Sequence, residues 1–174
     1  VRLFEPTTDP ALAIFLNFHV PGYWLPGGSQ LEFAISLAAS LARWSLEHKC
    51  PTGLFGNGAL GGAGAVHVPV SANQLQLRHI LEVLALASSS HQHIAEVLLG
   101  ELSALPFEAS VLLVTAGLDR QLMLALTDVR RRRPVTICQV KTPGTAALSL
   151  PGIDVLPVDY DEAWEEGELL QLAA

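Results

Sequence analysis

The stretch that decides the fold is Ala11–Phe18, which reads Ala-Leu-Ala-Ile-Phe-Leu-Asn-Phe. A short, uniformly apolar run of this kind predicts a strand that is buried on both faces of a sheet. A loop rich in proline and glycine follows, and Ser29-Gln30-Leu31-Glu32 then forms a capping box that predicts a helix starting near Leu31. A buried strand, a loop and a long helix in this order indicate an open α/β sheet.

The carboxyl end of this first strand carries Asn17 and His19. In an open α/β sheet, ligands bind in the crevice beyond the carboxyl ends of the strands. An acid–base or metal site at that position requires Asp or Glu, and this strand offers neither. The sequence therefore supports the fold more strongly than it supports any one function.

Apolar strands alternate with helices through the rest of the chain. Further strands are predicted at Thr52–Phe55, Ala65–Val70, Ala109–Thr115, Val135–Val140 and Ile153–Val158. Helices are predicted from Leu31 to about His48, after a second capping box at Ser71–Gln74, at His91–Leu105, at Leu118–Arg131 and after Asp159–Glu162. The glycine-rich Gly56–Gly64 is interpreted as a hairpin turn, so one edge strand is antiparallel. This order predicts an α/β fold with a mostly parallel sheet covered on both faces.

The composition is that of one folded domain. Half of the 174 residues are hydrophobic and 16% are charged, and a chain of this length buries roughly 70% of its unfolded surface. No apolar stretch approaches the roughly 20 residues of a membrane span. Because the chain opens at Val1 and its only methionine is Met123, we expect residues 1–174 to be a single domain excised from a longer protein.

The net charge of −7 is placed unevenly. Residues 1–141 balance, and the excess acidic residues all follow Lys141. An acidic end disfavours nucleic acid and anionic lipid as partners. It is interpreted as the solvated face of a terminal helix, with a docking surface for a basic partner as the alternative.

Three stretches carry a resemblance to a known family: Val1–Thr8, Leu31–Ala42 and Pro51–Leu54. Together with the element order, they make the chain similar to the von Willebrand factor A-like bacterial family called domain of unknown function fifty-eight. The resemblance implies a three-layer, Rossmann-like sandwich and a non-catalytic protein-interaction domain. It also implies a MoxR-type AAA+ ATPase as partner, a parent protein anchored in the membrane upstream of Val1, and a location at the cytoplasmic face of the membrane.

Many von Willebrand factor A domains hold Mg²⁺ through an Asp-x-Ser-x-Ser motif, a Thr and a later Asp. The first motif aligns here with Asn17-Phe18-His19-Val20-Pro21, and the later Asp aligns with Ala116. Both carboxylates and both serines are missing, although hard divalent ions need oxygen ligands. We therefore expect a degenerate adhesion site with no metal and no cofactor. Weak Mg²⁺ or Mn²⁺ binding through Asp119 is the minor alternative.

Gly56-Asn57-Gly58-Ala59-Leu60-Gly61 matches the spacing G-x-G-x-x-G. A dinucleotide site needs a helix opening at such a loop, but a strand is predicted next, so the hairpin is favoured. A nucleotide-binding enzyme using the Gly56–Gly61 loop remains the alternative function. The chain has no G-x-S-x-G and no G-x-x-x-x-G-K, so no catalytic residue is predicted.

Two further clusters are interpreted structurally. His91 and His93 form an H-x-H without further zinc ligands, which favours a solvated helix start. Arg130–Arg133 lies at a helix end, where cations complement the helix dipole.

The best candidate for partner binding is the aromatic pair Tyr23 and Trp24, on the loop after the first strand. Aromatic side chains are frequent binding hot spots; a lid packed over the helix ends is the equal alternative. We expect a protein partner to bind at this edge through Tyr23, Trp24, His19, Asn17 and Asp119.

Overall fold

The computed structural model describes residues 10–19, 29–61 and 64–160. The helices in this part of the chain are α1 (Ser29–Glu47), α2 (Gln76–Leu86), α3 (Ile94–Glu101) and α4 (Arg120–Val129). The strands are β1 (Ala11–Leu16), β2 (Thr52–Leu60), β3 (Gly64–Ser71), β4 (Ala87–Ser88), β5 (Ala109–Thr115), β6 (Val135–Lys141) and β7 (Asp154–Asp159). Within these ranges, no helix combines the length and the apolarity needed to cross a membrane.

The described strands form one sheet in the order β3-β2-β1-β5-β6-β7, with β4 paired to the far part of β2. The pairs β1–β2, β1–β5, β5–β6 and β6–β7 are parallel, whereas β3 and β4 run antiparallel to β2. The predicted mostly parallel sheet with an antiparallel edge is thereby confirmed. We call the edge where β1, β5 and β6 end the carboxyl edge.

The alternation of side chains along β1 supplies both cores. Ile14 and Leu16 lie in the cluster that includes α1 and α2, and Ala13 and Phe15 lie in the cluster that includes α3 and α4. Because a strand covered on both faces has no polar side, the uniformly apolar sequence of β1 requires helices on both sides. The result is a three-layer sandwich.

The predicted hairpin is confirmed, because β2 and β3 pair antiparallel. The predicted bounds of its turn, Gly56–Gly64, are wrong, because β2 continues to Leu60 and the chain turns at Gly61, whose φ is 51°. Gly56 and Gly58 serve close packing instead. A Cβ atom on Gly56 would lie 2.9 Å from the Leu16 carbonyl oxygen, and one on Gly58 would lie 3.0 Å from the Phe18 ring. Glycine at these positions lets the Phe18 ring rest directly on β2.

The second predicted capping box is also wrong. Ser71 ends β3, and the Asn73 side chain accepts a hydrogen bond from the Leu75 backbone N–H (2.9 Å) in a turn before α2. The helix begins at Gln76, whose buried amide donates to the carbonyl oxygens of Thr52 (2.7 Å) and Pro69 (2.8 Å).

The remaining boundaries differ less. α3 is shorter than the predicted His91–Leu105, because His93 caps it, and α4 begins after its own cap, Asp119. The prediction for Ala109–Thr115 is confirmed residue for residue. The predicted terminal helix after Asp159–Glu162 lies outside the described residues.

Candidate functional site

A buried network of amide and hydroxyl groups lies at the carboxyl edge of the central strands. Asn17 follows β1, Asn57 lies in β2 and Thr115 ends β5, and each is at most 4% exposed. The Asn17 amide nitrogen donates to Thr115 Oγ1 (3.2 Å), and the Asn57 amide nitrogen donates to Asn17 Oδ1 (3.1 Å). Three neighbouring strands are therefore joined by uncharged side chains.

The same network fixes the backbone that leaves β1. Asn57 Oδ1 accepts from the Phe18 N–H (2.7 Å), and Asn17 Oδ1 accepts from the His19 N–H (3.1 Å). The Asn57 amide also donates to the Gln92 carbonyl oxygen (3.0 Å), which ties the segment before α3 to β2. Because buried polar groups need partners, these bonds hold the chain at Phe18 and His19 in one conformation.

Thr115 is also engaged locally. Its hydroxyl donates to the Gly117 carbonyl oxygen (2.8 Å) while it accepts from Asn17. The Asn17 amide oxygen already accepts two hydrogen bonds. The side-chain oxygen atoms of Asn17 and Thr115 are thus both engaged in hydrogen bonds within the chain.

His93 and Asp119 form a pair at the rim of the network, where each caps a helix. His93 Nδ1 accepts from the Ala95 N–H (3.1 Å), so the hydrogen lies on Nε2, which donates to Asp119 Oδ2 (2.7 Å). Asp119 Oδ1 accepts from the Leu122 N–H (2.8 Å) at the start of α4. Two loops that are 26 residues apart in sequence are joined by this contact.

The pKa of Asp119 is lowered from its ordinary value of 3.8. Partial burial of the carboxyl raises the pKa, but the Leu122 N–H, the His93 side chain and the Gln121 N–H together outweigh it. Asp119 is therefore a carboxylate at neutral pH, and its side chain is 59% exposed to solvent.

A cleft of about 320 Å³ opens at this rim, lined among the described residues by His19, Asn57, His91, Gln92, His93, Ile94 and Asp119. Its floor is the amide network, and its walls carry imidazole groups. The cleft offers hydrogen-bond donors from exposed His19 and His91 and one carboxylate that is already paired.

The structure brings together three of the five predicted partner-binding residues. His19 and Asp119 line the cleft, whereas Asn17 is buried beneath it and acts by positioning the chain. Tyr23 and Trp24 lie outside the described residues.

Sequence reasoning missed Asn57 and Thr115, and it placed His93 at a helix start, where it does cap α3, without its contact to Asp119. Asn57 sits between two glycines that resembled a turn, and Thr115 ends an apolar strand. Their signal was positional, because parallel strands end at the same edge and polar residues near those ends lie close together.

These residues do not fit a divalent cation such as Mg²⁺. Mg²⁺ requires octahedral oxygen ligands, usually with carboxylates, and the position after β1 holds the neutral amide Asn17. Both oxygens of Asp119 are engaged by His93 and Leu122. Within the described ranges, no group of three or more His, Cys, Asp or Glu side chains is arranged to hold a metal ion.

Comparison with solved structures identifies the fold. The structure is similar to the crystal structure of the SpRpn10 VWA (von Willebrand factor A) domain, with a TM-score of 0.51 over 88% of this chain and 89% of that chain. The fold is VWA-like. The sequence identity is 8%, so the likeness concerns the fold alone. No protein-family model matches the chain, and no curated protein matches it.

Proposed function

We propose that this VWA-like domain is a non-catalytic protein-interaction module whose partner binds at the carboxyl edge of the sheet. The observation that carries the proposal is the Asn17–Asn57–Thr115 network. It lies at the carboxyl ends of the strands, where open α/β sheets usually hold their binding or catalytic groups, and it consists of neutral side chains bonded to one another. Such groups position a surface, and they include neither a general base nor the carboxylate that a divalent cation usually requires.

The chemistry of the cleft favours a partner that presents polar groups, because each neutral imidazole provides one hydrogen-bond donor and one acceptor. His19 and His91 are exposed, and the only carboxylate lining the described cleft, Asp119, is already bonded to His93 and Leu122. Partner contacts come from His19 and Asp119, while Asn17 holds the His19 backbone in place. Tyr23 and Trp24 follow four and five residues after His19 and supply the aromatic anchor of the interface.

The finer role rests on the resemblance to domain of unknown function fifty-eight. Val1–Thr8, Leu31–Ala42 and Pro51–Leu54 support that family, which points to a MoxR-type AAA+ ATPase as the partner. In this proposal the parent protein is anchored in the membrane upstream of Val1, and the domain works in a complex at the cytoplasmic face.

Titration calorimetry of the domain with a MoxR-type AAA+ ATPase tests this proposal. Replacing Trp24 by Ala should weaken binding by about 2 kcal/mol if Trp24 is a hot spot. Trp44→Ala is the matched control, because Trp44 is an exposed tryptophan near the opposite end of α1, and its affinity should equal that of the unchanged domain.

Equal affinities for the two tryptophan variants would remove Trp24 from the proposed interface. Absence of any binding heat with the unchanged domain would reject a MoxR-type ATPase as the partner.

The alternative of a nucleotide-binding enzyme loses the loop on which it depended. Gly56–Leu60 is part of β2, and the segment that follows the turn is β3 rather than a helix. The glycines make room for Phe18 and for backbone atoms of neighbouring strands, so no backbone cradle for a phosphate forms there.

A further inference from the structure

We propose that the exposed side of α2 is a self-association surface, on which two copies of this chain pair their α2 helices antiparallel about a two-fold axis. This surface lies apart from the carboxyl-edge cleft and has no part in the function proposed above. A second copy is the occupant that the apolar content and the charge pattern of this surface favour.

The outer side of α2 and the residue before it expose three large apolar side chains. Leu81 and Leu86 are 44% and 70% exposed, and Leu75, at the helix start, is 67% exposed. Ile80, Val83 and Leu84 are the large apolar side chains of α2 that are buried, so they face the core on the other side of the helix. Among the described residues, a depression of about 500 Å³ follows Leu77, Leu81 and Ala85 along the helix.

The charges on this side of α2 are self-complementary. Arg78 and Glu82 are both largely exposed and form an ion pair at 2.7 Å along the outer ridge of the helix. Arg78 and Glu82 are the only formally charged residues between positions 75 and 86, so the helix is neutral in a chain of net charge −7. A second copy meets no local charge repulsion on this surface.

An antiparallel arrangement brings opposite charges together. At 3.6 residues per turn, Arg78 and Glu82 lie on either side of the level of Ile80, near the middle of the outer ridge. A two-fold axis at that level places Arg78 of one copy opposite Glu82 of the other, and Leu75 opposite Ala85. Such an interface is isologous, because the same patch serves both subunits.

The size of the patch sets the expected strength. One face of an 11-residue helix provides less than the roughly 800 Å² per partner of a standard stable interface. We therefore expect a reversible dimer with a Kd on the order of 100 µM, which forms fully only at higher concentrations.

Sedimentation equilibrium of the unchanged domain from about 1 µM to about 1 mM tests the dimer. The mass should rise from one copy to two across this range. Leu81→Asp should raise the dimer Kd by at least about tenfold, since it places a charge in the apolar part of the contact. Leu124→Asp is the matched control, because Leu124 is 64% exposed on α4, and this variant should dimerise like the unchanged domain.

The charge pattern gives a second, intermolecular test. Arg78→Glu makes the ridge doubly acidic and Glu82→Arg makes it doubly basic, so each variant alone should dimerise at least about tenfold more weakly. An equimolar mixture of the two should form a heterodimer more tightly than either variant pairs with itself.

Three results would overturn the proposal: a single-copy mass at every concentration, an equal loss in the Leu81 and Leu124 variants, or a mixture no tighter than its components. Both charge variants alter exposed side chains, and circular dichroism verifies that each is folded before its mass is interpreted.

Discussion

At the scale of single residues, Asn17 connects the site through three hydrogen bonds of its side chain. Its amide accepts from His19 and Asn57 and donates to Thr115. Each of these partners is buried or lies at the point where β1 meets the cleft. A change at Asn17 therefore affects three strands at once.

Asn17→Ala should lower the free energy of unfolding by about 1–3 kcal/mol, because it removes one buried hydrogen-bond partner from the Asn57 amide and one from the Thr115 hydroxyl. Urea unfolding measures the change. Gln74→Ala is the control, since Gln74 is also an amide but is exposed, and surface substitutions typically stay within about 0.5 kcal/mol. Equal costs for both variants would mean that the network contributes nothing beyond an ordinary surface bond.

Asp119 gives the site a defined dependence on pH. Its pKa in the folded state is lowered from 3.8, so its ionised form stabilises the fold above pH 3.8 and that contribution is lost as the pH falls through the folded value. Asp119→Asn keeps a capping side chain but removes the charge.

We expect Asp119→Asn to be less stable than the unchanged domain at pH 7, by no more than about 1 kcal/mol because the pair is exposed. The two stabilities should converge as the pH falls toward about 2. Urea unfolding at a series of pH values measures the difference. A difference that stays constant with pH would show that the charge of Asp119 has no role.

At the scale of the elements, the glycines of β2 decide how closely the chain after β1 packs on its neighbour. Gly58 lies under the Phe18 ring and beside the Ser88 carbonyl oxygen, each 3.0 Å from the position of a Cβ atom. Phe18 is 2% exposed, so its ring has little freedom to move away.

Gly58→Ala should lower the midpoint of thermal unfolding, with a loss of about 1–3 kcal/mol from overpacking. Gly100→Ala is the matched control, because Gly100 lies in α3 with no atom within 4 Å of its Cβ position. Alanine there should stabilise the helix by about 0.5–1 kcal/mol. Calorimetry that found both variants stabilised would refute the close-packing role of Gly58.

The sequence pattern was sufficient wherever a strand is buried on both faces. The predicted bounds of β1, β5 and β6 differ from the structure by two residues or fewer. A short apolar run with polar ends is stable mainly as a strand buried on both faces of a sheet. It failed at β2, where Gly56-Asn57-Gly58 resembles a turn in composition. Glycine required by a ring packed above it cannot be told from glycine required by a positive φ without knowing the neighbour.

The position of the candidate site in the fold was predictable from the sequence, but the side-chain contacts within it were not. Asn17 and His19 marked the carboxyl edge from the sequence, but the contact of His93 with Asp119 joins residues that are 26 apart. Such a contact depends on how α3 and α4 lie on the same face of the sheet, which no local pattern specifies.

At the scale of the whole molecule, the strands β1, β2 and β5 are joined at their carboxyl edge by side-chain hydrogen bonds. In a metal-dependent domain, a bound cation would supply this link and would stabilise the native state in proportion to its occupancy. In this domain, hydrogen bonds between uncharged side chains already join these three strands. The stability of the folded domain should therefore be independent of divalent ions.

We expect the unfolding midpoint to be the same in excess chelator and in about 10 mM MgCl₂. An ion bound with a Kd of about 0.1 mM would add about 2.7 kcal/mol at that concentration, which corresponds to several degrees for a domain of this size. Asn17→Asp is the informative companion, since it places a carboxylate beside Thr115. A rise in the midpoint with Mg²⁺ in the unchanged domain would contradict the uncharged network as the link between these strands.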